Sequence, residues 1–230
     1  MYPSVRSIFR AFNEPFEGVV RYMYLDIKGL VTVGVGNLID PVTAATGLPF
    51  RFKDKPGITT PGKLATRGEI IAEWNRLKVD QNLAQKGHRA CAPITNLELD
   101  DGAIDDLIGV RLSQNEVYLK RQKAFRDLEN WPADAQLGLL SMAWAMGPGG
   151  PPKFRHFSMA CEKQDFDTAA EQCKISEAGN PGVVPRNQAN RTLFHNASAV
   201  IAAESNFDLL RSMLYYPQIL VKPIIITAGD

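Results

Sequence analysis

Apolar positions near the start of the chain recur at steps of three and four. Val5, Ile8, Phe9, Phe12 and Phe16 predict an amphipathic helix whose last turn is disturbed by Pro15, with Glu17 at or just past its end. The period then shortens. Val19 to Tyr24 is a β-prone run, Asp26 to Gly29 has turn composition, and Leu30 to Val35 is a second β-prone run, so a hairpin is expected with Asp26 on its turn and Thr32 on the returning strand. Residues 40–66, rich in Pro, Gly and Thr, have the composition of a long loop.

Beyond that point the helical period returns. Ile70, Ile71, Trp74 and Leu77 mark a helix for which Thr66 and Glu69 supply a capping box. A second helix, from Asp100 to about Phe125, carries Ile104, Leu107, Ile108 and Leu112 on one face. The stretch 130–150 is the most hydrophobic helical segment, with Pro132 suited to its first turn and Gly147 to its stop. It reads as a core helix. Trp144 and Met146 fit that core better than a sugar-stacking surface. Shorter helices are expected over Phe154–Cys161 and after Asp165, then one opened by Arg186 and reaching to near Tyr216. The tail Ile219–Ile226, β-branched and broken by Pro223, could add an edge strand. The sum is an α+β chain.

Composition narrows the class. The chain has 230 residues, 45% of them hydrophobic and 22% charged, enough for one large domain or a two-lobed one with a substantial core. A net charge of +1 does not announce a nucleic-acid binder. Basic residues gather over 51–78 and acidic ones over Glu98–Asp106, clusters that read as solvated faces, with attraction of an anionic glycan to the basic rim as the lesser option. No apolar run is long enough to span a bilayer. The first ten residues lack the apolar core of a secretory signal, which implies synthesis in the cytoplasm. Cys91, Cys161 and Cys173 are odd in number and lack paired metal-ligand spacing, so they read as buried thiols, with a Cys161–Cys173 bridge as the lesser option. His88, His156 and His195 have no partner spacing for a metal or a dyad and read as structural. No metal and no cofactor is expected.

The candidate chemistry lies in Glu17–Gly36. Glu17 and Asp26 are nine residues apart and Thr32 is six further on, with Gly29, Gly34 and Gly36 placed where a hairpin turns or a ligand comes close. Two carboxylates nine apart are, alone, ordinary surface charges. Two carboxylates in different surroundings can also divide acid and water-activating roles at a glycosidic bond. Glu17, beside Phe16 and an apolar helix face, suits the protonated role, and Asp26, on a polar turn beside Lys28, suits the ionised one.

The whole register, Glu-Gly, Tyr two before Asp, then Gly, Thr and Gly-x-Gly, resembles the catalytic segment of the phage-type lysozymes. These are muramidases, and the family includes endolysin-like bacteriocin and secreted-effector domains. The resemblance implies that Glu17 is the general acid and that Asp26 and Thr32 hold the attacking water. It also extends to the 130–150 helix and to Gly182–Phe194, where it implies that Arg186 pairs with the catalytic Glu. The match departs at Asn37, where family members commonly have His. On this resemblance the chain is a single lysozyme-like domain, with a hairpin lobe over about 17–66 that includes an inserted loop. A linking helix over about 100–125 and a helical lobe over about 126–216, packed with the N-terminal helix, complete it, and the groove lies between the lobes. The 40–66 insertion either lines that groove or is a surface elaboration. The expected activity is inverting hydrolysis of the bond after N-acetylmuramic acid; lytic transglycosylation and a non-catalytic wall-binding module are the alternatives. The implied partners are bacterial peptidoglycan, an immunity or inhibitor protein, and a delivery machine or a longer parent chain. Action would be in the periplasm or on the cell wall, after phage lysis or secretion.

Overall fold

The computed structural model describes residues 1–203 and 209–222. It is α+β, about 55% helical with a small antiparallel sheet. In chain order the described elements are α1 (Pro3–Glu17), β1 (Val20–Leu25), β2 (Val31–Gly34), β3 (Asn37–Leu38), α2 (Val42–Ala45), β4 (Arg51–Phe52), α3 (Arg67–Val79), α4 (Leu83–Lys86) and β5 (Leu97–Glu98). Then come α5 (Asp101–Lys120), α6 (Ala133–Met146), α7 (Arg155–Glu162), α8 (Phe166–Gln172) and α9 (Val184–Ala202). Among the described residues no helix is long and apolar enough to cross a membrane.

The chain divides into two compact units, Asn13–Arg111 and a discontinuous one made of Met1–Phe12 and Leu112–Asp230. Both divisions fall inside helices, in α1 after Phe12 and in α5 after Arg111.

In the Asn13–Arg111 unit, β1, β2 and β3 form an antiparallel meander in that order, with Tyr24 opposite Thr32 and Leu25 opposite Val31. Met23 and Leu25 are buried while Tyr22 and Tyr24 are half-exposed, the alternation of a strand with one covered face. The sheet packs against α3, whose Trp74 Nε1 donates to the Ile39 carbonyl at 2.9 Å. Thr66 and Glu69 close the expected capping box at the start of α3. Residues 40–66 depart from the loop expectation. They contain α2 and β4, and β4 pairs with β5 through Arg51–Glu98 and Phe52–Leu97. Phe50, fully buried, anchors the segment, and the buried Glu73 carboxylate of α3 accepts the Asn96 and Leu97 amides at 2.6 and 3.1 Å. Two-residue strands leave no alternation for a sequence pattern to show.

In the other unit α6 is the centre. All its residues from Ala133 to Trp144 are buried, including Asp134, Gln136 and Ser141. Gly147, at φ 77°, stops it as expected. Val5, Phe9 and Phe12 form the buried face of α1, and Phe9 meets Trp144 edge to face at 5.1 Å, so Trp144 is a core residue. Phe125, Trp131, Phe157, Phe166 and Phe194 form a chain of ring contacts with centroids 5.2–6.2 Å apart. Three expected bounds are corrected. Helix α5 ends at Lys120, five residues short of Phe125, which sits in a 3₁₀ turn. Helix α9 ends at Ala202 and does not reach Tyr216. Residues 219–222 carry no strand, and 223–226 lie outside the described residues.

Candidate active site

Helix α1 ends where Gly18, at φ 70°, turns the chain into the left-handed region, its amide returning to Glu14 O at 2.8 Å. Glu17 is therefore the last helical residue, and its side chain is exposed. The desolvated surroundings expected for it from Phe16 and the apolar face are not found. The chain flanking it passes to the sheet, whose strands place the remaining candidates.

Asp26 closes β1. Its backbone amide donates to Leu30 O, and its Oδ1 accepts the amides of Lys28 and Leu30 at 2.8 and 2.9 Å. Two amides on one oxygen fix the carboxylate, and Oδ2 has no hydrogen-bond partner among the described residues. Gly29 is required in this turn. Its φ is 72°, and a Cβ there would fall 2.0 Å from Gln81 Oε1. Thr32, directly across from Tyr24, is only 4% exposed, and its hydroxyl donates to Leu30 O at 3.2 Å. Its proton is thus committed to the backbone.

Gly34 and Gly36, at φ 67° and 70°, form the β2–β3 turn. Asn37 accepts the Val35 amide on Oδ1 at 3.2 Å and so caps this turn. Gly36 also faces charge. A Cβ there would lie 3.9 Å from Glu17 Oε2 and 4.0 Å from Arg111 Nη1, and Arg111 Nη1 donates to Gly36 O at 2.6 Å. Burial lowers the Arg111 pKa, while the Glu17 carboxylate and then Tyr24 push it back up. Glu17, the Gly36 turn and Arg111 thus meet within one unit.

Tyr24 shares that field. Its pKa is raised to about 12, mostly by burial, with Glu17 and Asp26 adding to the rise and Arg111 opposing it. The structure therefore brings Glu17, Asp26 and Tyr24 into one electrostatic neighbourhood, with Thr32 as the cross-strand partner of Tyr24. Arg186 belongs to the other unit. There it is 2% exposed and donates from Nη1 to Ser141 O and Oγ, each at 3.1 Å. Within Glu17's own unit, Arg111 interacts electrostatically with it.

Arg111 and Tyr24 are the residues of this candidate site to which the sequence assigned no role. Arg111 did leave a signal. It follows Ile104 by two helical turns, so it interrupts an otherwise apolar face of α5. Tyr24 stood inside the motif but had no role assigned. His156 and His195 lie in the other unit, whereas His88 stands against the rings of Tyr22 and Tyr24 at 6.4 and 6.0 Å. Cys91, Cys161 and Cys173 are buried free thiols, and among the described residues no group of three or more His, Cys, Asp or Glu is placed to hold a metal ion.

No protein-family model matches the chain, and comparison with curated proteins finds no match.

Proposed function

We propose that this protein is a muramidase with a two-lobed lysozyme-like fold, hydrolysing the β-1,4 bond between N-acetylmuramic acid and N-acetylglucosamine in peptidoglycan. The observation that carries the proposal is that Glu17 and Asp26 lie in one unit and both act electrostatically on Tyr24, with Arg111 Nη1 held on the Gly36 turn that faces Glu17. Glu17, on a helix end and open to solvent, is the group that reaches a glycosidic oxygen and protonates the leaving sugar. Asp26 presents Oδ2 from a carboxylate already oriented by two amides, and this oxygen accepts a hydrogen bond from the attacking water. Arg111 holds Gly36 O and so fixes the turn that runs past Glu17. Inversion of configuration requires the two carboxyls to stand roughly 6.5 to 9.5 Å apart, leaving room for that water.

Thr32 favours a second reading. A hydroxyl that is only 4% exposed offers an attacking water little access, which brings lytic transglycosylation forward, where a group of the sugar replaces water.

One digestion decides between these. Purified peptidoglycan is treated with the wild type and with Glu17→Gln, and the products are identified by mass spectrometry. Reducing muramic ends from the wild type, with a loss of about 10²- to 10⁴-fold in the variant, is the expected result. Anhydro-muramic ends would establish the transglycosylase. If neither protein releases products and both bind the wall, the chain is a binding module on this scaffold.

A further inference from the structure

Two tyrosines lie two residues apart on β1, and the structure treats their hydroxyls differently. Tyr22 and Tyr24 are both half-exposed while Met23 and Leu25 are buried, and both rings stand against the imidazole of His88. The Tyr22 hydroxyl is paired with His88 Nδ1 at 3.2 Å, and its ring carries the Lys53 ammonium 4.1 Å from its centroid. Its polar tip and one face are therefore engaged by the protein. The Tyr24 hydroxyl has no hydrogen-bond partner among the described residues.

The surroundings of Tyr24 suit a proton donor. Its strand partner is Thr32, and Glu17, Asp26 and Arg111 all act on it electrostatically. Burial keeps the phenol protonated through the range in which a carboxyl pair works, since its pKa is pushed up to about 12. An O–H group whose proton is retained, which is half-covered and not hydrogen-bonded to the described protein, has its donor capacity available to a ligand oxygen. The T-shaped contact with His88 braces the ring from the side, so the hydroxyl is held in place without being consumed.

We infer that Tyr24 is a substrate-binding residue of this site, its hydroxyl donating a hydrogen bond to an oxygen of the sugar held between Glu17 and Asp26. The inference rests on the muramidase reading and deepens it, assigning a recognition group beside the acid and the water-holding carboxylate. The ligand chemistry is that of a pyranoside ring with hydroxyl or N-acetyl oxygens. A neutral donor of this kind binds ground state and transition state alike, so it acts through KM.

The test uses the full chain and soluble, uncrosslinked peptidoglycan glycan strands. Steady-state kinetics are measured for the wild type, Tyr24→Phe and Tyr22→Phe, with thermal melting of each. Tyr24→Phe is expected to raise KM about five- to tenfold, the worth of one neutral hydrogen bond, with kcat within about twofold and an unchanged melting temperature. Tyr22→Phe, which removes a hydroxyl already paired with His88, is expected to leave KM within about twofold. An active wild type with an unchanged KM in Tyr24→Phe overturns this inference and leaves the muramidase reading standing. Equal rises in both variants, or a rise that tracks a fall in melting temperature, overturn it as well, because they describe loss of packing. A wild type that cleaves nothing overturns both.

Discussion

Lys53 is a cation with little water around it. It is 9% exposed; Nζ donates to Thr95 Oγ1 at 2.6 Å and to Ala92 O at 3.3 Å, and lies 4.1 Å from the Tyr22 ring centroid. Burial lowers its pKa from 10.5 to about 8, with Glu73 opposing the shift. The folded chain therefore binds the Lys53 proton less tightly than the unfolded chain does. Its cost to stability is fully present below about 8 and fades as pH rises towards 10.5. Wild type measured against Lys53→Met should gain in relative stability across that window, read by urea unfolding at the two ends. A difference constant with pH would mean that the ammonium is not desolvated. The same residue marks a limit of sequence reading. Lys53 and Lys55 amid Pro and Gly look like a solvated face, and only pairing with Thr95, more than forty positions on, makes Lys53 a buried group. Asp26 was legible because its partners are two and four residues away. Arg111 and Glu17 meet across more than ninety positions, and no local pattern reports that.

At the level of elements, α6 packs directly on α9. Gly138 permits it: a Cβ there would lie 3.0 and 3.1 Å from two ring carbons of Phe194 and 3.5 Å from Leu193 Cβ. Phe194 and Leu193 are fully buried and have no open side to move into. Gly138→Ala should therefore destabilise the protein by about 1–3 kcal/mol through overpacking, despite alanine's better helix propensity. Chemical denaturation measures this, and a stabilised variant would show that the crossing can relax. Helices with chemical punctuation were read well from sequence. Thr66 with Glu69 and Pro132 with Gly147 state their own ends, since each satisfies or stops the backbone locally. Helix ends without such residues were not: α5 stops at Lys120 in a polar run without Gly or Pro, and α9 at Ala202 among apolar residues. The β4–β5 pair escaped notice because each strand is two residues long and its partner lies far along the chain.

At the level of the whole molecule, residues 209–222 are held to the helices of the discontinuous unit by two buried polar side chains. Asp134 accepts the Tyr215 and Tyr216 amides at 2.9 and 3.0 Å and Asn196 Nδ2 at 2.9 Å. Asn196 in turn binds Gln218 O and the Leu220 amide. Burial raises the Asp134 pKa, which these donors only partly offset. Asp134→Ala leaves three donors without their acceptor, so it should cost about 3–5 kcal/mol and expose Arg211 to trypsin under native conditions. An unchanged digestion pattern would show that the segment is held by other contacts. The discontinuity of this unit also bears on how the protein is made. Ser4 Oγ donates to Ser212 O at 2.7 Å, and Phe9 needs Trp144, so the first turns of α1 find their partners only after most of the chain has been synthesised. The unit Asn13–Arg111, by contrast, is one continuous stretch of chain. On a ribosome, the carboxylate pair, its turn and its arginine can be assembled while the apolar face of Val5, Phe9 and Phe12 still waits for its cover, making that face the natural hold for a chaperone during translation.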